Sequence, residues 1–105
     1  MIEQMTPSEF VRRRAAGDDL VLLDVREPHE LVQSSVKGAL HIPMAQIPDR
    51  LAELDRDRPL VILCRSGGRS QAVASFLMQR GFTQVANLSG GIIRWNQEVD
   101  PSVVL

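Results

Sequence analysis

The chain has 105 residues, 44% of them hydrophobic and 24% charged, and a formal net charge of -1. With no basic block beyond Arg12-Arg13-Arg14, that balance excludes a nucleic-acid footprint, and no apolar run approaches the ~18 to 20 residues of a membrane helix. The length fits one domain spanning residues 1–105, and His29, His41 and one cysteine form no ligand spacing for a metal, so no metal or other cofactor is expected. The start, Met1-Ile2-Glu3-Gln4-Met5, lacks the basic and apolar segments of a secretion signal, which makes the cytoplasm the expected compartment. A lone free cysteine agrees with reducing conditions.

In chain order, Thr6-Pro7-Ser8-Glu9 reads as a capping box with proline at the first helical position, opening a helix that stops at Gly17. Leu20-Val21-Leu22-Leu23 is wholly apolar without alternation, the pattern of a strand covered on both faces. It ends in Asp24-Val25-Arg26-Glu27-Pro28, and a loop then leads to a short strand around Leu40 to Ile42. Pro48, Leu51, Ala52 and Leu54 predict a small helix, ended by the charged run Asp55 to Arg58 and Pro59. Leu60 to Leu63 is the next buried strand. A helix starting near Ser70 carries Ala72, Val73, Phe76 and Leu77 on one face and ends at Gly81; Val85 to Leu88 is one more strand, and Gly90 to Trp95 opens a final helical turn or two. The tail from Asp100 to Leu105 reads as a loosely packed end. Strands alternating with helices predict an α/β fold of three layers, with a mostly parallel sheet of about five short strands and helices on both faces. Sites in such folds lie beyond the carboxyl ends of the strands, where Asp24 to Arg26 and Cys64 to Arg69 both fall.

Cys64 opens the run Cys64-Arg65-Ser66-Gly67-Gly68-Arg69-Ser70 directly after an apolar strand. Free cysteine is usually a small buried hydrophobe, yet this one stands at the end of its apolar run beside an arginine and two glycines. A strand that delivers a thiol into a glycine turn followed by a helix aims backbone N–H groups and a helix dipole at the sulfur. Arg65 and Arg69 add positive charge, which favours thiolate and attracts an anionic substrate. Cys64 is therefore the candidate nucleophile, with Arg65, Ser66, Gly67, Gly68, Arg69 and Ser70 as the candidate substrate cradle.

Three segments, Leu22 to Pro28, Val61 to Ser70 and Asn87 to Trp95, resemble in order and spacing those of a single-domain rhodanese, a sulfurtransferase. The resemblance runs from about Met5 to Val99. It implies that Cys64 accepts a sulfane sulfur from thiosulfate or another donor, becomes a persulfide, and passes the sulfur to cyanide or a thiol. Arg65 and Arg69 would bind the anionic donor, and Asp24 with Arg26 would brace the loop as supporting residues. With no second thiol in the chain, the acceptor must be external: cyanide, glutathione, a reduced thioredoxin or a sulfur-relay protein. Where the family commonly has Gly-His-Ile-Pro-Gly-Ala, this chain has Ser34-Ser35-Val36-Lys37-Gly38-Ala39, which bears on the shape of the site's rim. Gly90-Gly91 and Trp95 read as a tight turn and a core anchor.

Two other functions fit parts of the pattern. Cysteine-dependent phosphatases resemble His-Cys, five residues, then Arg; here Leu63 precedes the cysteine and four residues separate Cys64 from Arg69, a tighter loop suited to one sulfur atom rather than a phosphate. A noncatalytic docking module of rhodanese type typically lacks the cysteine. A papain-like protease is excluded by chain length and by both histidines preceding the cysteine.

Overall fold

A computed structural model describes residues 1–105. Its strands are β1 (Glu3–Met5), β2 (Val21–Asp24), β3 (Leu40–His41), β4 (Leu60–Leu63) and β5 (Val85–Leu88), and its helices α1 (Pro7–Ala15), α2 (Pro28–Gln33), α3 (Gly68–Gln79) and α4 (Gly91–Glu98). The sheet order is β1-β5-β4-β2-β3, and every pairing is parallel. β4 lies at the centre because Leu60 to Leu63 is apolar at every position and can be covered on both faces.

Alternation along β4 divides the core. Leu60, Ile62 and Cys64 join the cluster under α3 with Val73, Ala74 and Leu77, while Val61 and Leu63 join Phe10, Ile92 and Trp95 under α1 and α4. The period of two thus carries the Cys64 side chain onto the α3 face. Ile62 is fully buried, so truncation to alanine would cost about 2–5 kcal/mol.

Local chemistry explains the helix ends. Thr6 Oγ1 accepts the Glu9 N–H at 3.1 Å with Pro7 at the first position, and Gly17 follows with φ +102. α3 starts two residues earlier than the expected Ser70, because Gly67, at φ +108, turns the chain directly into the helix.

Four expectations differ in detail. β1 is an additional strand on the β5 edge, three residues long and too short to show a period. The loop expected after β2 holds α2, opened by Glu27 as N-cap, Pro28 and Glu30 in a reciprocal capping box. The helix expected around Pro48 is instead two 3₁₀ segments, Met44–Asp49 and Leu51–Glu53; Pro48 within the first has no N–H to give an α-helical bond. The tail is tied down at Val103, whose carbonyl accepts Asn96 Nδ2 at 2.7 Å. No helix is long and apolar enough to cross a membrane.

Candidate active site

Cys64 follows the last residue of β4, and α4 shapes the turn after it. Ile92 N–H donates to the Cys64 carbonyl at 2.9 Å and Ile93 N–H to the Arg65 carbonyl at 3.1 Å, so the loop's first two carbonyls face the first turn of α4. Its N–H groups are left for the sulfur. Gly91, at φ +58, makes the approach possible: a Cβ there would lie 2.4 Å from the Cys64 carbonyl oxygen and 2.5 Å from that of Arg65. The Gly90-Gly91 turn is therefore part of the site's construction.

Sγ receives the Gly67 N–H at 3.0 Å and lies 3.2 Å from Ser70 Oγ in the first turn of α3. The side chain is buried, with 1% of its surface exposed. Burial pushes the thiol up, but the Ser70 hydroxyl and the N–H groups of Ser70, Gly67 and Ser66 outweigh it and hold Cys64 below the ordinary thiol range. Cys64 is thus at once a core residue on one side and, on the other, a sulfur whose charged form is favoured by N–H groups.

The two loop arginines are not equivalent. Arg65 is exposed and forms no ion pair; it borders an open cavity of about 240 Å³ together with Arg26, His29, Glu30 and Gln33. Arg69 is held by α2, its Nη1 and Nη2 donating to the two carboxylate oxygens of Glu30 at 2.7 and 2.9 Å. The Arg69 fork, against the burial of the group, holds Glu30 down at about 2. Ser66 and Gly68 line the exposed side of the loop.

Asp24 and Arg26 form a buried pair, 0% and 2% exposed, with Arg26 Nη2 2.8 Å from Asp24 Oδ2. Arg26 Nη2 also donates to the Ser34 carbonyl at 2.9 Å, and the Arg26 carbonyl contacts His41 Nε2 at 2.7 Å. Neither residue of the pair hydrogen-bonds Cys64. Ser34, in the segment that departs from the common family pattern, thus anchors the rim through Arg26. His29 is exposed on α2 and His41 lies on the edge strand β3.

Three residues of the site have no place in the sequence reading: Glu30, Gly91 as the seat of the loop, and Asn87. Asn87 is the one polar residue in the buried strand β5, a signal that was available, and its Oδ1 accepts the Ser70 hydroxyl. Glu30 was readable only as the third helical residue of a capping box, since its pairing with Arg69 spans 39 positions.

An α/β domain that ends its central parallel strand in a cysteine enclosed by N–H groups defines a class of proteins with cysteine-centred anion cradles. The model of the rhodanese-like domain matches residues 6–98, and the chain belongs to that family. It is 41% identical over 103 residues to a sulfurtransferase of Allochromatium vinosum, covering 98% of this chain and 96% of the relative. It is 33% identical over 93 residues to the thiosulfate sulfurtransferase GlpE of Stutzerimonas stutzeri, covering 89% and 84%. The crystal structure of a rhodanese-related protein from Thermoplasma volcanium superposes with a TM-score of 0.84 at 29% identity, covering 92% of this chain and 93% of that one.

Proposed function

We propose that this chain is a sulfurtransferase that moves a sulfane sulfur from thiosulfate or another persulfide donor to a thiophilic acceptor through a persulfide on Cys64. The observation that carries the reading is the sulfur at the end of β4, with the Gly67 N–H at 3.0 Å and the Ser70 hydroxyl at 3.2 Å. In the first half-reaction the Cys64 thiolate attacks the outer sulfur of thiosulfate, the S–S bond of the donor breaks, and sulfite leaves with the bonding pair. Charge balances, since a thiolate and a dianion become a persulfide anion and a sulfite dianion. In the second half-reaction cyanide or a thiolate attacks the outer sulfur of the persulfide and Cys64 leaves as thiolate. No general base is needed where the thiol is already ionised.

The loop's N–H groups stabilise the anion on the outer sulfur as they stabilise the thiolate before it. Arg65, with no carboxylate partner, is the cation offered to an anionic donor; Arg69 contributes through its pair with Glu30, which fixes the second arginine rather than leaving it free. The acceptor is external because Cys64 is the only cysteine, and a small thiol, cyanide or a sulfur-relay protein all meet that chemistry. The four-residue spacing from Cys64 to Arg69, and relatives named sulfurtransferase, favour sulfur over phosphate as cargo. A single domain working in a reducing compartment such as the cytoplasm fits a mechanism built on one free thiol.

Intact mass before and after thiosulfate, with Cys64→Ser alongside and cyanide added afterwards, tests this. A gain of one sulfur on the unsubstituted chain alone, released as thiocyanate, supports the reading. No gain with thiosulfate or with a protein persulfide removes it and leaves the docking and phosphatase readings, which an aryl phosphate assay separates.

A further inference from the structure

A polar chain crosses the α3 face of the sheet from its edge to the nucleophile. Gln4 of β1 accepts Asn87 Nδ2 at 3.0 Å, Asn87 Oδ1 accepts the Ser70 hydroxyl, and Ser70 Oγ lies 3.2 Å from Cys64 Sγ. The orientation of the Asn87 amide is fixed on both sides. Its second Nδ2 hydrogen donates to the Gly67 carbonyl at 3.2 Å, a group that can only accept, so Oδ1 must face Ser70. Gln4 is fixed in turn, its Nε2 donating to Gln71 Oε1 at 2.7 Å.

Ser70 has one hydroxyl proton and two neighbours that want it. With Cys64 protonated, the thiol hydrogen points at Ser70 Oγ and the hydroxyl proton at Asn87 Oδ1, and each group is satisfied. With Cys64 ionised, the sulfur is best served by the same hydroxyl proton, and the O–H must rotate away from Asn87, leaving a buried amide oxygen without a donor.

We infer that Asn87 is a positioning residue that competes with Cys64 Sγ for the single hydroxyl proton of Ser70 and thereby sets how much of the free nucleophile stands ionised. The inference deepens the sulfur-transfer reading and rests on it for its meaning. When sulfur is taken up, the negative charge moves to the outer sulfur and Sγ becomes a neutral divalent atom, so the Ser70 proton returns to Asn87. The competition therefore opposes the empty thiolate and leaves the persulfide untouched. No proton changes owner within the Ser70–Asn87 pair; the hydroxyl rotates about its C–O bond.

The charged groups on the surrounding elements are not contested in this way. Arg65 belongs to the loop, Arg69 of α3 is paired with Glu30 of α2, Asp24 and Arg26 pair with each other, and Arg94 of α4 pairs with Glu98. From β5 the contribution is the neutral amide alone.

The experiment is the pH dependence of Cys64 alkylation by iodoacetamide, a clean readout because the chain has one thiol. It is run on the unsubstituted chain, Asn87→Leu, Ser70→Ala and the double variant. Removing the competitor should move the alkylation midpoint to lower pH by about half a unit or more, and Ser70→Ala should move it to higher pH. In the Ser70→Ala background the Asn87 effect should vanish. A role limited to holding the loop predicts the opposite sign, because a loosened loop gives the sulfur fewer N–H bonds. A midpoint that rises in Asn87→Leu, or shifts equally with and without Ser70, overturns the inference. Thermal melts confirm that each variant folds, and Asn87→Ala takes the place of Asn87→Leu if the larger side chain does not fit. Alkylation reads the thiol and not sulfur uptake, so a chain that failed to take sulfur from any donor would defeat the proposed function while still answering this test.

Discussion

The loop from Cys64 to Ser70 and the turn from Asp24 to Ser34 lie at the same end of the sheet but are held by different means. The first is fixed at the reacting residue by backbone: the Cys64 and Arg65 carbonyls meet the N–H groups of Ile92 and Ile93, a contact that Gly91 makes possible. The second is fixed by side chains, through the Asp24–Arg26 pair, the Arg26 bonds to Ser34 and the capping box of Glu27 and Glu30. A backbone frame leaves the N–H groups of the cysteine loop free for an anion and is indifferent to pH. A side-chain frame is sensitive to every charge removed from it. Such a division places the reacting atom on the part that charge changes disturb least.

Substitutions on each side sharpen that contrast. The largest effect is chemical: Cys64→Ser should abolish the mass gain from any sulfur donor, since the oxygen cannot carry a sulfane sulfur. Next comes Gly91→Ala. A Cβ at 2.4 Å from the Cys64 carbonyl must push the loop away, and displacing a reacting group by about 1 Å costs about 100-fold in rate. Sulfur uptake followed in single turnover should fall by that order, with a folded spectrum retained; an unchanged rate would mean that the seat on α4 does not hold the sulfur in place.

On the side-chain frame, Arg26→Ala strands the Asp24 carboxylate in a site of 0% exposure, and breaking a buried pair in this way costs about 3–5 kcal/mol. Urea denaturation should show that loss. Replacing both members by apolar residues should cost less than replacing Arg26 alone, because no charge is then left unpaired. Equal losses would move the weight of the turn from the ion pair to its packing.

The sheet, its apolar strands and the placement of Cys64 were legible because each is written locally: continuous apolar runs mark buried strands, and a cysteine between such a run and a Gly-Gly turn marks a strand-to-helix corner. Less legible was what depends on pairs far apart in the chain. Glu30 and Arg69 are 39 positions apart and Asn87 and Gln4 are 83, so no window of sequence contains both partners. Arg69 read as a free cation for that reason, although its charge is committed to Glu30. The polar break at Asn87 within β5 was visible, but its partner on α3 became clear only once the strand's alternation fixed the face it occupies.

The two loop arginines give a smaller and more selective effect. Arg65→Ala should raise the Michaelis constant for thiosulfate several-fold more than for an uncharged persulfide donor, because it removes the cation that has no partner. Arg69→Ala removes a charge already compensated by Glu30, and its effect should not distinguish the donors as sharply. Equal discrimination by both variants, measured with the same donor pair, would mean that the fork opens when an anion binds.

The smallest expected effect concerns acid stability and turns on the titration of Glu30. In the folded chain Glu30 sits at about 2, held down first by Arg69, against 4.5 for an ordinary glutamate. A depressed folded value means that the contribution to stability is fully present above 4.5 and disappears as the pH falls from there towards 2. Arg69 is 35% exposed, so solvent screening reduces the contribution below what the shift alone implies. Glu30→Gln keeps an oxygen to accept the Glu27 N–H, as a glutamine does at the same place in a capping box, and removes the ionisable charge together with the second acceptor of the Arg69 fork. Denaturation midpoints in urea, compared between the two chains from pH 5 down to pH 2, should converge as the acid limb is descended. Curves that stay parallel would show that the fork with Arg69 positions α2 without drawing stability from the charge.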